Sequence, residues 1–261
     1  MKIPFYKYQG TGNDFIIIDN RSNIFDRERR DIVAQLCDRR FGIGADGFIL
    51  LQNKEGYDFE MVYYNADGNE STMCGNGGRC IVQFAQDIGV MNLTTHFLAV
   101  DGVHYAFIKE KLVNLQMMNV AGIDTLADDT FFLNTGSPHY VKKVEKIEQF
   151  PVFETGKSIR YSDTFAPGGT NVNFMEMQDN WLFVRTYERG VENETYSCGT
   201  GVTAAAIAAE KLGIAPQYVL IKTLGGELEV TFIKKSDGSY KDVFLIGPAK
   251  RVFTGEIEVD F

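Results

Sequence analysis

The chain has 261 residues, 44 % apolar and 23 % charged, which is typical of a globular protein and long enough for two domains. Its formal net charge of −9 argues against a nucleic-acid or anionic-membrane surface, because both attract clusters of lysine and arginine. Residues 1–15 contain no apolar signal segment, and no apolar run approaches about 18 residues, so we expect a cytoplasmic protein without membrane contact.

The first half of the chain alternates extended and helical segments. Segments rich in β-branched and aromatic residues predict its strands. In chain order these strands are 14–19, 48–52, 59–64 and 112–117. Apolar residues at helical spacing predict helices at 31–39 and 78–88, and Gly89 then provides a left-handed C-cap for the second helix.

The second half shows the same alternation. Its predicted strands are 140–144, 172–178, 181–186, 218–223 and 227–233. The alanine-rich segment 201–211 predicts a helix that ends at Gly213. The final segment, "RVFTGEIEV" at 251–259, is strand-like and could complete the sheet of either half.

The cysteines and histidines predict neither a disulfide framework nor a metal site. The four cysteines are Cys37, Cys74, Cys80 and Cys198. None forms a C-x-x-C pair, and the three histidines are scattered, so we expect reduced thiols. Cys37 and Cys80 fall within predicted helices, which favours packing in the core.

The motif Cys-Gly-x-Gly occurs twice, at 74–77 and 198–201, and the two copies lie 124 residues apart. The same offset superposes Tyr63 on Tyr187, the segment 69–71 on 193–195, 88–90 on 212–214, and Gly102 on Gly226. An internal repeat at one offset predicts two homologous domains. We assign them to residues 1–118 and 119–249, with 250–261 returning as a C-terminal strand of the first.

In both halves a strand and a polar turn precede the Cys-Gly-x-Gly motif, and a helix follows it. A helix N-terminus presents free amides and the positive end of the helix dipole, so it suits a carboxylate and should lower the pKa of a neighbouring thiol. Ligand sites form preferentially between domains, so we expect two thiols to face one ligand from opposite sides. Inversion of a stereocentre beside a carboxylate fits this arrangement, with one thiolate removing the α-proton and one thiol returning a proton.

Eight motifs of the chain resemble, in the same order, those of the diaminopimelate epimerase family. They are "GTGNDF" (10–15), "FGIGADG" (41–47), "NADG" (65–68), "MCGNGGRC" (73–80), "TGSPHYV" (135–141), "NVNF" (171–174), "YERGVENET" (187–195) and "SCGTG" (197–201). The resemblance implies a cofactor-independent isomerase, with no metal, that converts LL-diaminopimelate to the meso form for lysine and peptidoglycan synthesis. It also implies an α/β (α+β) fold of two pseudo-symmetric domains, each a curved mixed or antiparallel sheet around a central helix, and it is compatible with a homodimer.

The resemblance also implies roles for individual residues. Cys74 and Cys198 would be the acid/base pair, and Arg189 would bind the distal carboxylate of the substrate. The implied substrate contacts are Asn13, Asn65, Gly75, Asn76, Ser137, Asn171, Glu188, Arg189, Gly199 and Thr200. His139 is either a packed side chain or a supporting group beside Glu188. Ser137 stands where the family usually has asparagine, so we expect altered recognition of the distal end.

Two other interpretations remain open at this point. The proline racemase and hydroxyproline epimerase family uses a similar pair of cysteines, but it favours histidine at the position of Asn76 and an aspartate-led motif in place of Glu188-Arg189-Gly190. A non-catalytic redox protein could instead use Cys74 and Cys198 as a reversible dithiol.

Overall fold

Two units of similar architecture make up the structure, a computed structural model that describes residues 2–259. The first unit runs up to Leu115 and includes the residues from Gly247 onward, and the second comprises Gln116–Ile246. Within the described residues, no helix is both long and apolar enough to cross a membrane.

The first unit contains two helices and most of the strands of the N-terminal half. Its strands are β1 (Lys2–Gly10), β2 (Asn13–Asp19), β3 (Gly47–Gln52), β4 (Phe59–Asn65), β5 (Thr94–Ala99), β6 (Gly102–Lys109) and β7 (Leu112–Gln116). Its helices are α1 (Arg30–Cys37) and α2 (Gly75–Asp87). The elements predicted at 14–19, 31–39, 48–52, 59–64 and 112–117 are thereby confirmed.

The second unit repeats this plan. Its strands are β8 (Asp124–Ala127), β9 (Thr130–Asn134), β10 (Pro138–Lys143), β11 (Asn171–Gln178), β12 (Trp181–Glu188), β13 (Asn193–Thr195), β14 (Tyr218–Thr223), β15 (Gly226–Lys234) and β16 (Tyr240–Gly247). Its helices are α3 (Val152–Arg160) and α4 (Gly199–Lys211). The last strand, β17 (Lys250–Glu258), pairs antiparallel with β1.

Strand pairing follows one pattern in both units. In the first, β1 pairs antiparallel with β2, β2 parallel with β3, β3 antiparallel with β4, and β4 parallel with β5. In the second, β9, β10, β11, β12 and β14 pair in the same order of directions. Helices α2 and α4 lie 124 residues apart at both ends, as do β5 and β14. The predicted fold of two pseudo-symmetric α/β units with mixed sheets is confirmed.

Each unit buries one central helix. In α4 every residue from Val202 to Ala209 is buried, and in α2 the same holds from Gly75 to Val82. A helix that is buried all round must be covered by other elements on all sides. Accordingly, α2 contacts strands β1, β2, β3, β6 and β17, and α4 contacts β9, β10, β11, β12, β14 and β15. The sheet of each unit thus surrounds its helix.

Both central helices begin earlier than the predicted 78–88 and 201–211. The helix-type bond from the Gly78 amide to the Cys74 carbonyl is 2.7 Å long, and that from Val202 to Cys198 is 2.9 Å. The glycine-rich segments are therefore first helical turns and not separate turns, since packing overrides the low helix propensity of glycine. The predicted C-caps are confirmed, because Gly89 and Gly213 both have a φ of 72°.

Several elements had no sequence prediction, namely α3 and strands β1, β5, β6, β8, β9, β13 and β16. Helix α3 contains Gly156, whose added Cβ would lie 2.4 Å from the Cβ of Tyr187. The close approach of this helix to β12 therefore requires the glycine that weakens its sequence signal.

Candidate active site

Cys74 is the N-cap residue of α2, with an extended backbone at φ −88° and ψ 133°. Its side chain is half-buried, and the thiol is not part of a disulfide. The amides of the first helical turn, from Gly75 onward, have no acceptor within the helix because the residues that would supply one precede it. Their dipoles make this end of α2 a site for negative charge beside the thiol.

A chain of side-chain amides lies against the first turn of α2. Asn76, which is fully buried, donates from Nδ2 to the Oδ1 of Asn13. Asn13 in turn donates from Nδ2 to Asp46 Oδ2 at 3.0 Å. Since a carboxylate can only accept, Asp46 fixes which end of the Asn13 amide faces Asn76. Two predicted substrate contacts, Asn13 and Asn76, are thereby brought together and held in one orientation.

Ion pairs hold Asp46 from the other side. Arg39 bridges Asp46 Oδ1 at 2.7 Å and Asp14 Oδ1 at 2.6 Å. Lys7, which is buried, lies 2.8 Å from Asp14 Oδ2. Burial alone would raise the pKa of Asp14, but hydrogen bonds from Arg39 and Lys7 outweigh it and lower that pKa to about 2. Asp14, which shares Arg39 with Asp46, is therefore ionised at neutral pH.

Asn65 ends strand β4 and is exposed. Its backbone N–H donates to Asn69 O at 2.9 Å, which closes a turn. The structure thus places Asn65 in a surface turn at the end of β4, where the strand register pairs it with Gly47, the residue after Asp46.

Cys198 occupies the same position at the start of α4. It is the N-cap residue, with φ −116° and ψ 114°, and only 7 % of it is exposed. Its Sγ lies 3.5 Å from Thr200 Oγ1, and Thr135 Oγ1 donates to the Thr200 carbonyl at 2.9 Å. Gly199 and Thr200 form the first turn of the helix, so this thiol also stands beside first-turn amides that have no acceptor within the helix.

Three predicted substrate contacts of the second unit form one hydrogen-bonded group. Asn171 donates to Ser137 Oγ at 2.8 Å and accepts the Arg189 amide at 2.9 Å. Arg189 places Nη2 3.4 Å from Ser137 Oγ and Nη1 3.4 Å from the Gly168 carbonyl. Both contacts of the guanidinium are long and go to neutral oxygens.

Glu188 is half-buried at the end of β12. Its Oε2 accepts a hydrogen bond from Thr195 Oγ1 at 2.9 Å, which fixes the carboxylate between β12 and β13. The register of these strands pairs Glu188 with Asn193.

His139 is fully buried, and its Nδ1 lies 3.1 Å from Asn173 Nδ2. The same nitrogen of Asn173 is 2.9 Å from the Tyr140 carbonyl, which can only accept, and Thr186 Oγ1 donates to Asn173 Oδ1. Asn173 therefore donates to His139, and the neutral imidazole carries its proton on Nε2. Burial, assisted by the positive charge of Arg189, lowers the pKa of His139 to about 3, so the ring is neutral at physiological pH.

The structure explains the glycine at the fourth position of the second "CGxG" motif, Gly201. A Cβ added there would lie 2.4 Å from Asn173 Oδ1 and 3.2 Å from Thr186 Oγ1. The first turn of α4 therefore packs directly on the amide that holds His139, and only glycine leaves room for it.

Sequence reasoning missed several supporting residues that the structure places beside the predicted ones. They are Thr11, Asp46, Arg79, Thr135, Asn173, Thr186 and Thr195. Asn173 had a usable signal, because it lies two residues after Asn171 and strand alternation places both on one face of β11. The others belong to separate chain segments and had none. Among residues 2–259, no cluster of three or more metal-binding side chains is arranged to hold a metal ion.

Sequence comparison identifies relatives along almost the whole chain. The family model described as diaminopimelate epimerase matches residues 5–111 and 131–252. A curated protein of that name from Flavobacterium psychrophilum is 51 % identical over 254 residues, which cover 96 % of this chain and 98 % of the relative.

Structural comparison identifies more distant proteins of the same fold. A phenazine biosynthesis protein of the PhzF family from Bacillus anthracis superposes with a TM-score of 0.80 at 13 % identity, covering 99 % of this chain and 100 % of that one. A probable proline racemase from Agrobacterium radiobacter gives 0.72 at 14 % identity, covering 99 % and 93 %. At these identities the likeness shows a shared fold alone. The family model and the 51 % identical relative decide the family: this chain belongs to the diaminopimelate epimerase family.

Proposed function

We propose that this protein is an isomerase that interconverts LL- and meso-diaminopimelate without a cofactor, with Cys74 and Cys198 as its acid/base pair. One observation carries the assignment of the pair. Each cysteine is the N-cap of a buried helix, and the two helices are equivalent members of an internal repeat. Among the four cysteines, Cys37 and Cys80 lie inside helices and are buried.

The reaction inverts one carbon that carries a carboxylate, an amine and a hydrogen. One thiolate takes the α-proton and becomes a thiol, and the electron pair left behind spreads onto the carboxylate. The other thiol gives its proton to the opposite face and becomes a thiolate. First-turn amides of Gly75, Asn76, Gly199 and Thr200 would donate to the carboxylate as its charge grows, which is the main source of stabilisation in such a step.

The distal end of the substrate carries a second carboxylate, for which Arg189 is the partner. Its guanidinium contacts only Ser137 Oγ and the Gly168 carbonyl, and no carboxylate of residues 2–259 forms an ion pair with it. A guanidinium binds a carboxylate through two parallel hydrogen bonds, and such charged bonds are stronger than those to neutral oxygens. The long neutral contacts would therefore yield to the substrate.

The remaining substrate contacts fit the amines and the chain of diaminopimelate. Glu188 is an acceptor for an ammonium group, and Asn13, Asn65 and Asn171 offer both donors and acceptors. Ser137 alters this set. Its hydroxyl already accepts from Asn171 and lies near Arg189, so it couples the two residues at the distal end without reaching as far as an asparagine would.

Family resemblance also supports a place in lysine biosynthesis, a cytoplasmic location and a homodimer. Size-exclusion chromatography with light scattering tests the last of these, and a monomer at micromolar concentration would contradict it.

Incubation with LL-diaminopimelate tests the activity. The reaction contains a thiol reductant and a chelator, and chiral chromatography measures the product. We expect the meso form. L-Lysine lacks only the distal carboxylate, so its kcat/KM for racemisation should be lower by about 100-fold, as expected when the half-buried guanidinium of Arg189 is left without its charged partner. Turnover of trans-4-hydroxy-L-proline without turnover of diaminopimelate would contradict the proposal.

A further inference from the structure

Arg79 is a fully buried cation in α2. Its Nη2 donates to Thr11 Oγ1 and to Asn76 Oδ1, both at 2.9 Å, and its Nη1 lies 3.3 Å from the Gly75 carbonyl. Burial lowers the pKa of Arg79 to about 10, so the guanidinium is still charged at neutral pH. This side chain therefore joins two parts of the first unit, the turn between β1 and β2 and the first turn of α2.

The turn between β1 and β2 has a backbone conformation that needs support. Thr11 is buried in this turn and has a φ of 49°, in the left-handed region. A β-branched residue is strained there, and such strain persists where the surrounding structure holds it. A Cβ added at Gly10 would lie 3.2 Å from the Asn76 carbonyl and 3.4 Å from Arg79 Nη2, so the turn packs directly on the helix end. Asn13, a predicted substrate contact, begins β2 immediately after this turn.

Arg79 also fixes the direction of a chain of side-chain amides. A guanidinium only donates, so the atom of Asn76 that faces it is the carbonyl oxygen. Asn76 then donates to Asn13, and Asn13 donates to the carboxylate of Asp46. The chain runs from a cation to a carboxylate, and each member donates in the same direction. Hydrogen bonds in such a chain strengthen one another where the local dielectric is low.

The second unit makes the same two joins with hydroxyl groups. At the offset of 124, the residues equivalent to Thr11 and Arg79 are Thr135 and Thr203. Thr135 Oγ1 donates to the Thr200 carbonyl, and Thr203 Oγ1 donates to the Gly199 carbonyl, both at 2.9 Å. In both units, a turn next to a predicted substrate contact is thus joined to the first turn of the central helix. In the first unit the joining group is a cation.

We propose that Arg79 is a positioning residue for substrate binding, which holds the turn between β1 and β2 on α2 and, through Asn76, orients the amide of Asn13. A buried cation that contacts neutral oxygens is costly, and an apolar side chain could fill the same space, so we assign the charge to orientation. Contact of Asn13 with the substrate rests on the proposed function, but the turn and the amide chain exist without turnover.

Hydrogen exchange of the side-chain amides, measured by NMR on the protein without substrate, tests the orientation. Loss of a signal in Asn13→Ala or Asn76→Ala assigns each Nδ2 group. In the wild-type protein both should exchange at least about fivefold more slowly than the Nδ2 group of Asn65, which is exposed, as expected for a retained hydrogen bond.

Substitutions of Arg79 test the cause of this protection. Arg79→Met removes the donors and should abolish most of the protection at Asn76 and Asn13. Arg79→Lys keeps a charged donor and should retain more of it than methionine does. Thr203→Val is the matched control from the second unit and should leave the exchange at Asn76 and Asn13 unchanged.

Turnover of LL-diaminopimelate tests whether Arg79 acts through Asn13. Arg79→Met should lower kcat/KM by about 10–150-fold, the value of lost hydrogen bonds from a charged group. In the Asn13→Ala background the same substitution should lower kcat/KM by a factor at least about fivefold smaller, because residues of one hydrogen-bond network are not additive. General destabilisation would lower kcat/KM by the same factor in both backgrounds.

A folded Arg79→Met variant in which Asn13 and Asn76 stay protected would overturn the inference, as would equal kinetic effects in the two backgrounds. If Arg79→Met does not fold, the wild-type protein still decides, and exchange at Asn76 as fast as at Asn65 would overturn it. A wild-type protein that does not turn over diaminopimelate would contradict the proposed function alone, and the exchange rates would then decide the role of Arg79.

Discussion

The N-termini of α2 and α4 share a backbone and differ in their side chains. Both helices have 13 residues, both begin after an extended cysteine, and both end in a glycine with a φ of 72°. Such backbone amides serve any carboxylate, whichever side chains surround them. The repeat has therefore kept the part that, in the proposed function, would bind the reacting carboxylate.

The side chains around the two helix ends have diverged. Asn13 and Asn65 of the first unit correspond, at the offset of 124, to Ser137 and Arg189 of the second. A buried cation, Arg79, lies at the first helix end. The second unit carries a half-buried cation, Arg189, whose guanidinium contacts within residues 2–259 go to neutral oxygens. A substrate with one reacting end and one distal end needs this difference. In the proposed function, the shared backbone serves the acid/base chemistry and the differing side chains serve recognition of the substrate.

Removal of the Cys74 or the Cys198 thiol should have the largest effect on the rate of epimerisation. Cys74→Ala and Cys198→Ala should each lower kcat for epimerisation by at least about 10³-fold, because a positioned acid or base contributes about 10²–10⁴. Steady-state assays with LL-diaminopimelate measure this. Cys37→Ala is the matched control, a buried thiol in α1. It should lose about 1 kcal/mol of stability and keep its activity. Full activity in either N-cap variant would refute the pairing.

The next prediction compares Arg189 with its counterpart Asn65. Arg189→Met should lower kcat/KM by about 10–150-fold, the value of a lost hydrogen bond to a charged group. Asn65→Ala removes a neutral amide from an exposed turn and should lower kcat/KM by less than about tenfold. Equal effects of the two substitutions would mean that the distal carboxylate does not bind at Arg189.

Gly77 and Gly201 are a matched pair for testing how tightly each helix end is packed. Gly201→Ala places a Cβ 2.4 Å from Asn173 Oδ1 and should lower the free energy of unfolding by about 1–3 kcal/mol. A Cβ at Gly77 meets only ordinary contacts, the nearest at 3.5 Å, so Gly77→Ala should be neutral or stabilise by up to about 1 kcal/mol. Urea denaturation measures both. Similar losses would show that the two ends pack alike.

His139 and Phe15, 124 residues earlier, differ in their response to pH. The pKa of His139 is about 3 in the folded protein, against about 6.5 in an unfolded chain. Between these values the unfolded state binds a proton that the folded state does not. Stability should therefore fall by about 1.4 kcal/mol for each pH unit below 6.5, and be unaffected above it. His139→Phe should remove this part of the pH dependence, as measured by denaturation from pH 7 to pH 5. An unchanged slope would contradict a buried neutral imidazole.

Local sequence patterns predicted much of the fold. The β-branched strands and the glycine-terminated helices were visible because their signals are local. Helix α3 and the first turns of α2 and α4 were not, because glycine lowers helix propensity. In α3 and α4, the presence of glycine is explained by close contact with Tyr187 and Asn173. The internal repeat predicted the architecture of two similar units, which local secondary-structure propensity could not predict.

The residues of the candidate site also fall into those that the sequence predicted and those that it did not. Cys74 and Cys198 were predicted because their motif recurs at one offset. Asp46 and Arg79 stood inside quoted motifs but gave no sign of their roles. The role of each side chain depends on which atom it contacts in the folded chain. Asp46, for example, accepts a hydrogen bond from Asn13 Nδ2. Such pairings between distant segments form only when the sheet brings them together.

The isotope content of the product in D₂O tests the two-thiol account most directly. Wild-type protein is incubated with LL-diaminopimelate, and mass spectrometry follows both stereoisomers during the first few per cent of reaction. If one thiol removes the proton and a different one returns it, the meso product carries solvent deuterium at the inverted carbon, while recovered LL substrate stays unlabelled. Meso product that retains the original proton would show that one group acts on both faces, and would contradict the account.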